Sequence, residues 1–503
     1  MSPTSSEHTR VEERFPGVAR AADHGRRLRE ERDQRRFARA FAALVGILVG
    51  LGLIFLALGT LQGPKLSSAQ VDPARVTEQT GQQLRLFANQ PVDALDASVV
   101  TVEPAATTSV SVQGELIVVQ FEERLRYGTE YTVRVEGVGA PSRPNTSTFE
   151  HRFTTSPASV LYLDRDDSGV DEILRADIDG AGRGEVVHAA QGIQHMAPIE
   201  RVIVVARDDG AGGSVLESVD ARSGRIERLA LPDGVRVDRL IAPRAGTTIA
   251  LVLSPASAAV EGESGGEASA AATEGAVAPR SLALLDIGGD RALQPLAGLD
   301  GEPLTALGAW FLPAGGLLVH TVDETLVQVD PAAPETVLPI GAYPTVHGIS
   351  SDGTRVSAAD SFGGVALDLA TGEEERINPS LVEGEVAFGG EAALTASGLR
   401  VQKVAVADAA TGAFATVLVA DDGGGVARLL ARTIENRGSL GPVLLSPNDQ
   451  YVVVEVTPDV EAAVSDGRPI EARPTSITLA IIDVESGRLL RTLEGFAPVW
   501  TTG

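Results

Sequence analysis

From Ala40 to Leu61 the chain runs for 22 residues without a charge, thirteen of them Leu, Ile, Val or Phe. At about 1.5 Å per helical residue this run spans roughly 33 Å, enough to cross a bilayer core. At about 0.3 to 0.6 kcal/mol for each such side chain near the membrane centre, insertion is favoured by about 5 kcal/mol before four glycines reduce it. A cleaved signal peptide would have a shorter apolar region and a small-residue cleavage site. Here Gln62, Gly63, Pro64 and Lys65 follow instead. Seven arginines between Arg26 and Arg39 precede the run, while Lys65 alone follows closely. Positive charge collects on the cytoplasmic side, so residues 1–39 are expected inside as an Arg-rich tail and the bulk of the chain outside the cytoplasm. That tail also suits a cytoplasmic partner or anionic lipid. Within the span Ala42, Gly46 and Gly50 repeat at four-residue spacing, a small-residue stripe that allows a homodimer.

Beyond the membrane run, charge narrows the function classes. The whole chain carries −26; residues 1–39 contribute ten Arg against seven Asp and Glu, so the remainder carries −29. A body this acidic repels phosphate backbones, and an aromatic share of 4% leaves little for base stacking. Nucleic acid is therefore excluded as a partner. The absence of cysteine rules out disulfides, thiolate nucleophiles and Cys-bound zinc. With 503 residues, 43% of them apolar, two or three folded units are expected, with cores built of Val, Leu, Ile and Ala. Only Lys65 and Lys403 among the 42 basic residues are lysine, a bias associated with high-GC bacterial coding.

After a linker at 62–69, short stretches of period-2 patterning predict strands at Gln83–Phe87, Val99–Val102, Leu116–Phe121, Thr129–Val135 and Phe149–Thr154. Residues 70–156 are thus expected to form one β-sandwich. Several stretches resemble the bacterial SbsA-type Ig-like domains of surface-layer proteins. These are Val71-Asp72-Pro73, Pro91-Val92-Asp93, Leu125-Arg126-Tyr127-Gly128-Thr129-Glu130-Tyr131-Thr132-Val133 and Phe153-Thr154-Thr155. The resemblance implies a spacer or adhesion module without chemistry of its own. A core Tyr131 would need a partner for its hydroxyl. The Pro-, Ser- and Thr-rich stretch Ala140–Thr148 lengthens the last loop, and its sequon-like Asn145-Thr146-Ser147 reads as loop composition.

Residues 157–503 are repetitive, with an apolar run ending in Asp, a small turn, and another β run. The turns begin at Asp177, Asp220, Asp286, Asp330, Asp368, Asp408 and Asp483, spaced 43, 66, 44, 38, 40 and 75 residues apart. Most spacings match one four-stranded propeller blade. The 66-residue gap contains the Glu/Gly/Ala/Ser tract 256–279, expected to be a disordered acidic insertion. A polar insertion near Val460 to Pro474 lengthens the last gap. The phrases Gly348-Ile349-Ser350-Ser351-Asp352-Gly353 and Gly441-Pro442-Val443-Leu444-Leu445-Ser446-Pro447-Asn448-Asp449 resemble the inner-strand signature of TolB-type and WD40-like propellers, and Tyr162-Leu163-Asp164-Arg165-Asp166-Asp167-Ser168-Gly169 continues the likeness. The fold class expected is all-β: an Ig-like sandwich plus a roughly seven-bladed β-propeller, preceded by one transmembrane helix. Phe496-Ala497-Pro498-Val499-Trp500 reads as an inner strand without a following blade, and Val160-Leu161-Tyr162 as a second strand without a first. Ring closure by the chain end resolves both.

Candidate chemistry is sparse. Gly262-Glu263-Ser264-Gly265-Gly266 imitates a nucleophile elbow, but that motif needs a strand before it and a helix after. Ser264 instead lies in the acidic tract, so no catalytic residue is assigned. His151, His188, His195, His320 and His347 form no ligand pair in sequence, although blade loops can gather distant residues. Asp164, Asp166, Ser168 and Glu172 offer oxygens in alternation, a loose calcium loop whose EF-hand form fails because Arg175 holds the twelfth position. No other cofactor is expected. The chain reads as a membrane-anchored actinobacterial-like surface protein that binds or scaffolds an unknown protein or cell-envelope partner. The alternative is a lyase-like propeller enzyme or a cell-wall polysaccharide recognition module, which would need a polar, His- or Asp-rich channel.

Overall fold

The computed structural model describes residues 37–54 and 63–502, apart from 142, 166–168, 257–276, 314, 408–411, 413, 435–436 and 469–470. Ser264, Asp166, Ser168, Asp408, most of the acidic insertion and residues 55–61 of the apolar run therefore lie outside the described residues. Helix α1 occupies Phe37–Ile54 and is long and apolar enough to cross a membrane. Its large apolar side chains are exposed, from Phe37 to Ile54. Nothing lies within 4 Å of where a Cβ on Gly46 or Gly50 would sit.

The first folded unit has two sheets. One is ordered β1-β2-β5-β4, from Leu66–Gln70 (β1), Gln83–Ala88 (β2), Thr108–Gln113 (β4) and Leu116–Phe121 (β5). The other is β3-β6-β7, from Val100–Glu103, Glu130–Val138 and Ser147–Thr154. Alternate residues of both point into one core: Leu84, Leu86, Ile117, Val119 and Phe121 meet Tyr131, Val133, Val135, Phe149 and Phe153. The period-2 pattern places these side chains on one face, and their burial supplies roughly 1.5 to 3 kcal/mol each. Tyr131 is buried, and its hydroxyl accepts from the Arg126 N–H at 3.1 Å. The linker is shorter than expected, because β1 begins at Leu66, inside the 62–69 stretch, and pairs with β2.

The remainder forms seven four-stranded sheets, one of which gains a short fifth strand. Sheets 2 to 7 each run in chain order, their first strands being Ile193–Ile199, Val235–Ile241, Ala306–Phe311, Thr345–Ile349, Ala387–Leu394 and Ser439–Leu445. Sheet 1 takes its first strand from the chain end: Phe496–Thr502 pairs antiparallel with Ala158–Arg165, followed by Asp171–Asp177 and Glu185–Ala190. Second and third strands are apolar over consecutive residues, such as Ile203-Val204-Val205-Ala206 and Leu282-Ala283-Leu284-Leu285, because neighbouring sheets cover both faces. Fourth strands such as Ile226–Leu229 are largely exposed.

Apolar clusters join each sheet to the next without a gap. Leu161 and Ile203 bridge sheets 1 and 2; Val204 and Leu251, 2 and 3; Leu282 and Leu317, 3 and 4. Leu318 and Val356 bridge sheets 4 and 5; Ala366 and Leu394, 5 and 6; Val401 and Val452, 6 and 7. Tyr162 and Leu479 then join 7 to 1. First strands of successive sheets touch one another, so they line the axis of a closed, propeller-like ring.

Six of the seven aspartate turns connect the third and fourth strands of their sheets. The Asp220, Asp368 and Asp483 carboxylates each accept from the N–H three residues on and from that residue's hydroxyl (Ser223, Thr371, Ser486). Gly224, Gly372 and Gly487 then take positive φ of 68°, 72° and 70°. Asp408 is out of phase: it follows the second strand of sheet 6, Arg400–Ala407, and the equivalent turn of that sheet lies after Asp421. The segment 378–386, with the extra strand Leu381–Val382, lengthens sheet 6 and shifts the spacing. Tyr162–Gly169 likewise belongs to a second strand and the loop after it, not to an inner strand.

The closing strand is expected to carry ring stability. Phe496, 3% exposed, packs between Arg165 and Arg473, whose guanidiniums lie 4.7 and 5.4 Å from its ring. Phe496→Ala should cost about 3 to 5 kcal/mol in urea unfolding, and removal of residues 496–503 more than that. A truncated chain as stable as the parent would refute closure as the source.

Candidate functional site

The ring has two mouths, and the β-sandwich fills one of them. Loops joining first to second strands, and third to fourth, share that side. There Tyr127, 4% exposed, stacks on Tyr451 at 6.0 Å, and its N–H donates to Gln450 Oε1 at 2.9 Å. Asn448 Nδ2 donates to Leu125 O at 2.9 Å, and Arg126 pairs with Glu485 at 2.7 Å. Towards the axis, Arg124 of the sandwich donates to Glu78 O and Ser351 O, both at 2.9 Å, and Arg244 of sheet 3 donates to the same Ser351 carbonyl at 2.6 Å. Asp449 Oδ2 accepts from Ser351 Oγ at 2.7 Å and from Ala396 N at 2.9 Å, tying sheets 5, 6 and 7 together. Burial lowers the Arg124 and Arg244 pKa values and raises that of Asp449. Beside this plug lies a cavity of about 460 Å³ lined by Glu78, Arg124, Arg244, Phe311, Pro313 and Asp330.

Along the axis every first strand breaks register with its second strand at the same level. The bulges fall between Phe496 and Val499, Ile193 and His195, Val237 and Arg239, Ala306 and Gly308, Val346 and Gly348, Gly389 and Ala392, and Leu440 and Val443. A bulge leaves backbone groups unpaired and re-aims side chains. At five of the seven junctions a side chain of one sheet bonds first-strand backbone of the next. Ser214 accepts from Val237 N (3.0 Å), and Arg280 donates to Ala306 O (3.0 Å) and Leu307 O (3.1 Å). Lys403 Nζ donates to Gly441 O at 2.9 Å and Glu455 accepts from Ala497 N at 2.8 Å. Between sheets 1 and 2, Arg165 donates to Ile193 O and Asp171 accepts from Ile193 N, both at 2.7 Å.

Among the described residues no second domain covers the other mouth. Both long insertions of the ring, after Pro255 and after Thr457, emerge there. The latter folds back over the seam between sheets 7 and 1, where Arg165 pairs with Asp466 at 2.9 Å and Arg468 with the fully buried Asp171 at 2.8 Å. Leaving aside the 378–386 segment on the outer edge of sheet 6, the described loops of this mouth carry ten acidic residues against four arginines; those of the covered mouth carry eight against seven.

The candidate side chains are dispersed. His195 and His347 both reach the bulge level, on sheets 2 and 5, and His195 Nε2 is buried without a hydrogen-bond partner. His151 stacks on Phe153 in the sandwich, and His320 Nε2 lies 2.8 Å from Tyr343 O. His188 is buried on the outer strand of sheet 1. Burial lowers the pKa of His151, His188, His195 and His347, which keeps these rings neutral at pH 7. Asp164 and Glu172 are cross-strand neighbours, and Arg183 pairs with both, at 3.0 and 2.6 Å. Among the described residues no three His, Asp or Glu side chains gather as a metal site. Arg124, Arg244, Lys403 and Glu455 were not legible as axial residues. Ser351 and Asp449, however, sit in the very turns that end the two inner-strand phrases.

No family model matches this sequence, and no curated protein matches it. Among solved structures the chain is similar to TolB from Acinetobacter baumannii, at 13% identity over 82% of this chain and 88% of that one, with a TM-score of 0.34. It is also similar to the Cps50 (Swd1) β-propeller domain of Myceliophteria thermophila, at 15% identity, 61% and 88% coverage and a TM-score of 0.34. Porphyromonas gingivalis dipeptidyl peptidase 4 gives 12% identity, 86% and 62% coverage and 0.40. These are likenesses of fold alone, and the ring described above stands on its strand pairing.

Two outcomes test the plug. Tyr127→Ala should cost about 3 kcal/mol and split one calorimetric transition into two, since sandwich and ring lose their shared aromatic contact. A raised native pKa means that native Asp449 holds a proton where the unfolded chain has released it, so its cost builds as pH rises from the unfolded value to the raised one and is fully present above that. Asp449→Asn, which keeps an acceptor for Ser351 and Ala396, should therefore melt above the parent at about pH 7, with the gap closing towards about pH 4. A gap that widens on acidification would contradict the assignment.

Proposed function

We propose that this is a membrane-anchored, extracytoplasmic binding or scaffold protein. In this reading α1 spans the bilayer with the N-terminus inside, and an Ig-like sandwich acts as spacer. A seven-bladed β-propeller then offers its free face to a macromolecule at the cell surface. The observation that carries it is the sandwich filling one mouth of the ring. The chain arrives from the membrane run through the sandwich and enters the ring at Ala158 on that same side, so the opposite mouth points away from the tether. Polar atoms at the bulges are largely spent on neighbouring backbone, which favours a structural over a catalytic use of the channel. The lyase-like or polysaccharide-recognition alternative draws on one feature, His195 and His347 at the same level of the channel. A homodimer through Ala42, Gly46 and Gly50 is compatible with either reading.

Protease added to intact cells should degrade the chain down to a fragment holding residues 1–61. If the bulk survives in intact cells and is lost only after permeabilisation, the topology and the surface role both fall. Replacing His195 and His347 together with Gln should leave partner capture in intact-cell crosslinking unchanged; its loss would move the alternative ahead.

A further inference from the structure

Nine phenylalanines lie beyond residue 62. Six are buried or half-buried, and three are exposed: Phe362 at 88%, Phe388 at 54% and Phe414 at 64%. All three stand on the uncovered mouth of two adjacent sheets. Phe362 is in the loop between the second and third strands of sheet 5, Phe388 begins the first strand of sheet 6, and Phe414 begins its third. On the strand between the latter two, small side chains stand opposite the rings, Ala405 opposite Phe388 and Ala407 opposite Phe414. Their rings meet edge to face, centroids 5.7 Å apart at 73°. Val386 and Ile434, 61% and 83% exposed, flank sheet 6 on the connections before and after it. A chain with 4% aromatic residues that buries most of them gains nothing for its own fold by holding three in water; an exposed aromatic rim is the anatomy of a protein-contact anchor.

Charge selects the occupant. Arg376, on the outer strand of sheet 5, lies 5.8 Å over the Phe362 ring and is forked to Asp360 by two bonds of 2.7 Å, so its charge is already matched. The described loops of the whole mouth, 378–386 aside, hold ten carboxylates against four arginines, and a field of that sign repels anionic lipid and nucleic acid while attracting cations. We propose that the Phe362, Phe388 and Phe414 rim of sheets 5 and 6 docks a cationic polypeptide partner that presents bulky apolar side chains among its basic ones. This names the partner chemistry for the surface role proposed above and rests on that reading.

The full chain in nanodiscs of neutral phosphatidylcholine is titrated with three fluorescent peptides of equal length, alternating Arg/Leu, Arg/Ser and Glu/Leu. The Arg/Leu peptide should bind about tenfold or more tightly than the other two, and weaken about tenfold between about 50 and about 300 mM salt. Phe388→Ser with Phe414→Ser should weaken it by about tenfold at unchanged melting temperature, whereas Ile226→Ser, at an exposed position on the outer strand of sheet 2, should leave it unaltered. The proposal is overturned if the rim variant binds like the parent, if Arg/Ser or Glu/Leu matches Arg/Leu, or if sedimentation shows the rim occupied by a second copy. Any of these failures leaves the protease mapping untouched, so the docking assignment and the topology fall separately.

Discussion

The pairing of Phe496–Thr502 with Ala158–Arg165 joins the two ends of a ring built from seven sheets. Without it, sheet 1 would lose the strand that faces the axis, and sheets 1 and 7 would each present an uncovered face. Every other contact in the ring assumes this closure, because each sheet is buried on two sides only when both neighbours are present. That is why its central strands tolerate consecutive apolar residues, and how a chain without cysteine holds some 340 residues together. The seam is further secured by charge, with Arg165, Asp171, Asp466 and Arg468 forming a network in which Asp171 is fully buried and paired. Such a network stabilises by avoiding an unpaired buried charge more than by any net Coulombic gain.

The bulges solve a second problem created by the ring. First strands crowd the axis and kink at a common level, which frees backbone N–H and C=O groups in a buried place where each must find a partner. Neighbouring sheets supply such partners at five of the seven junctions by different chemistry: a serine, an arginine, a lysine, a glutamate, an arginine–aspartate pair. The consequence for function is that polar residues near the axis are mostly committed to architecture. With the sandwich closing the other mouth, the exposed rings of Phe388 and Phe414 remain as a surface with unmet contact potential.

Much of this was legible in advance because it depends on local pattern. Six aspartate turns fell in equivalent places, and in three of them, at Asp220, Asp368 and Asp483, Asp followed by Ser or Thr and then Gly satisfies its own backbone. The same locality misled at Asp408, which carries the same Asp-to-Gly sequence but follows the second strand of sheet 6, and the added strand Leu381–Val382 masks the slip. The axial residues had no comparable signal. Lys403 and Glu455 are single side chains in apolar strands, and their partners, Gly441 and Ala497, lie about 40 residues away and in another sheet.

By itself the sequence determined an apolar run long enough to cross a membrane, the all-β character, the alternation that builds the sandwich core, the four-strand period and the need for the chain end to return to Val160. These follow from hydrophobic period, charge and turn chemistry, which act over a few residues. Only the tertiary structure decided which mouth the sandwich fills, which polar groups are consumed at the bulges, and that three of the nine phenylalanines beyond residue 62 share one rim. Those outcomes depend on how loops from separate sheets converge in space, and no local pattern encodes that convergence.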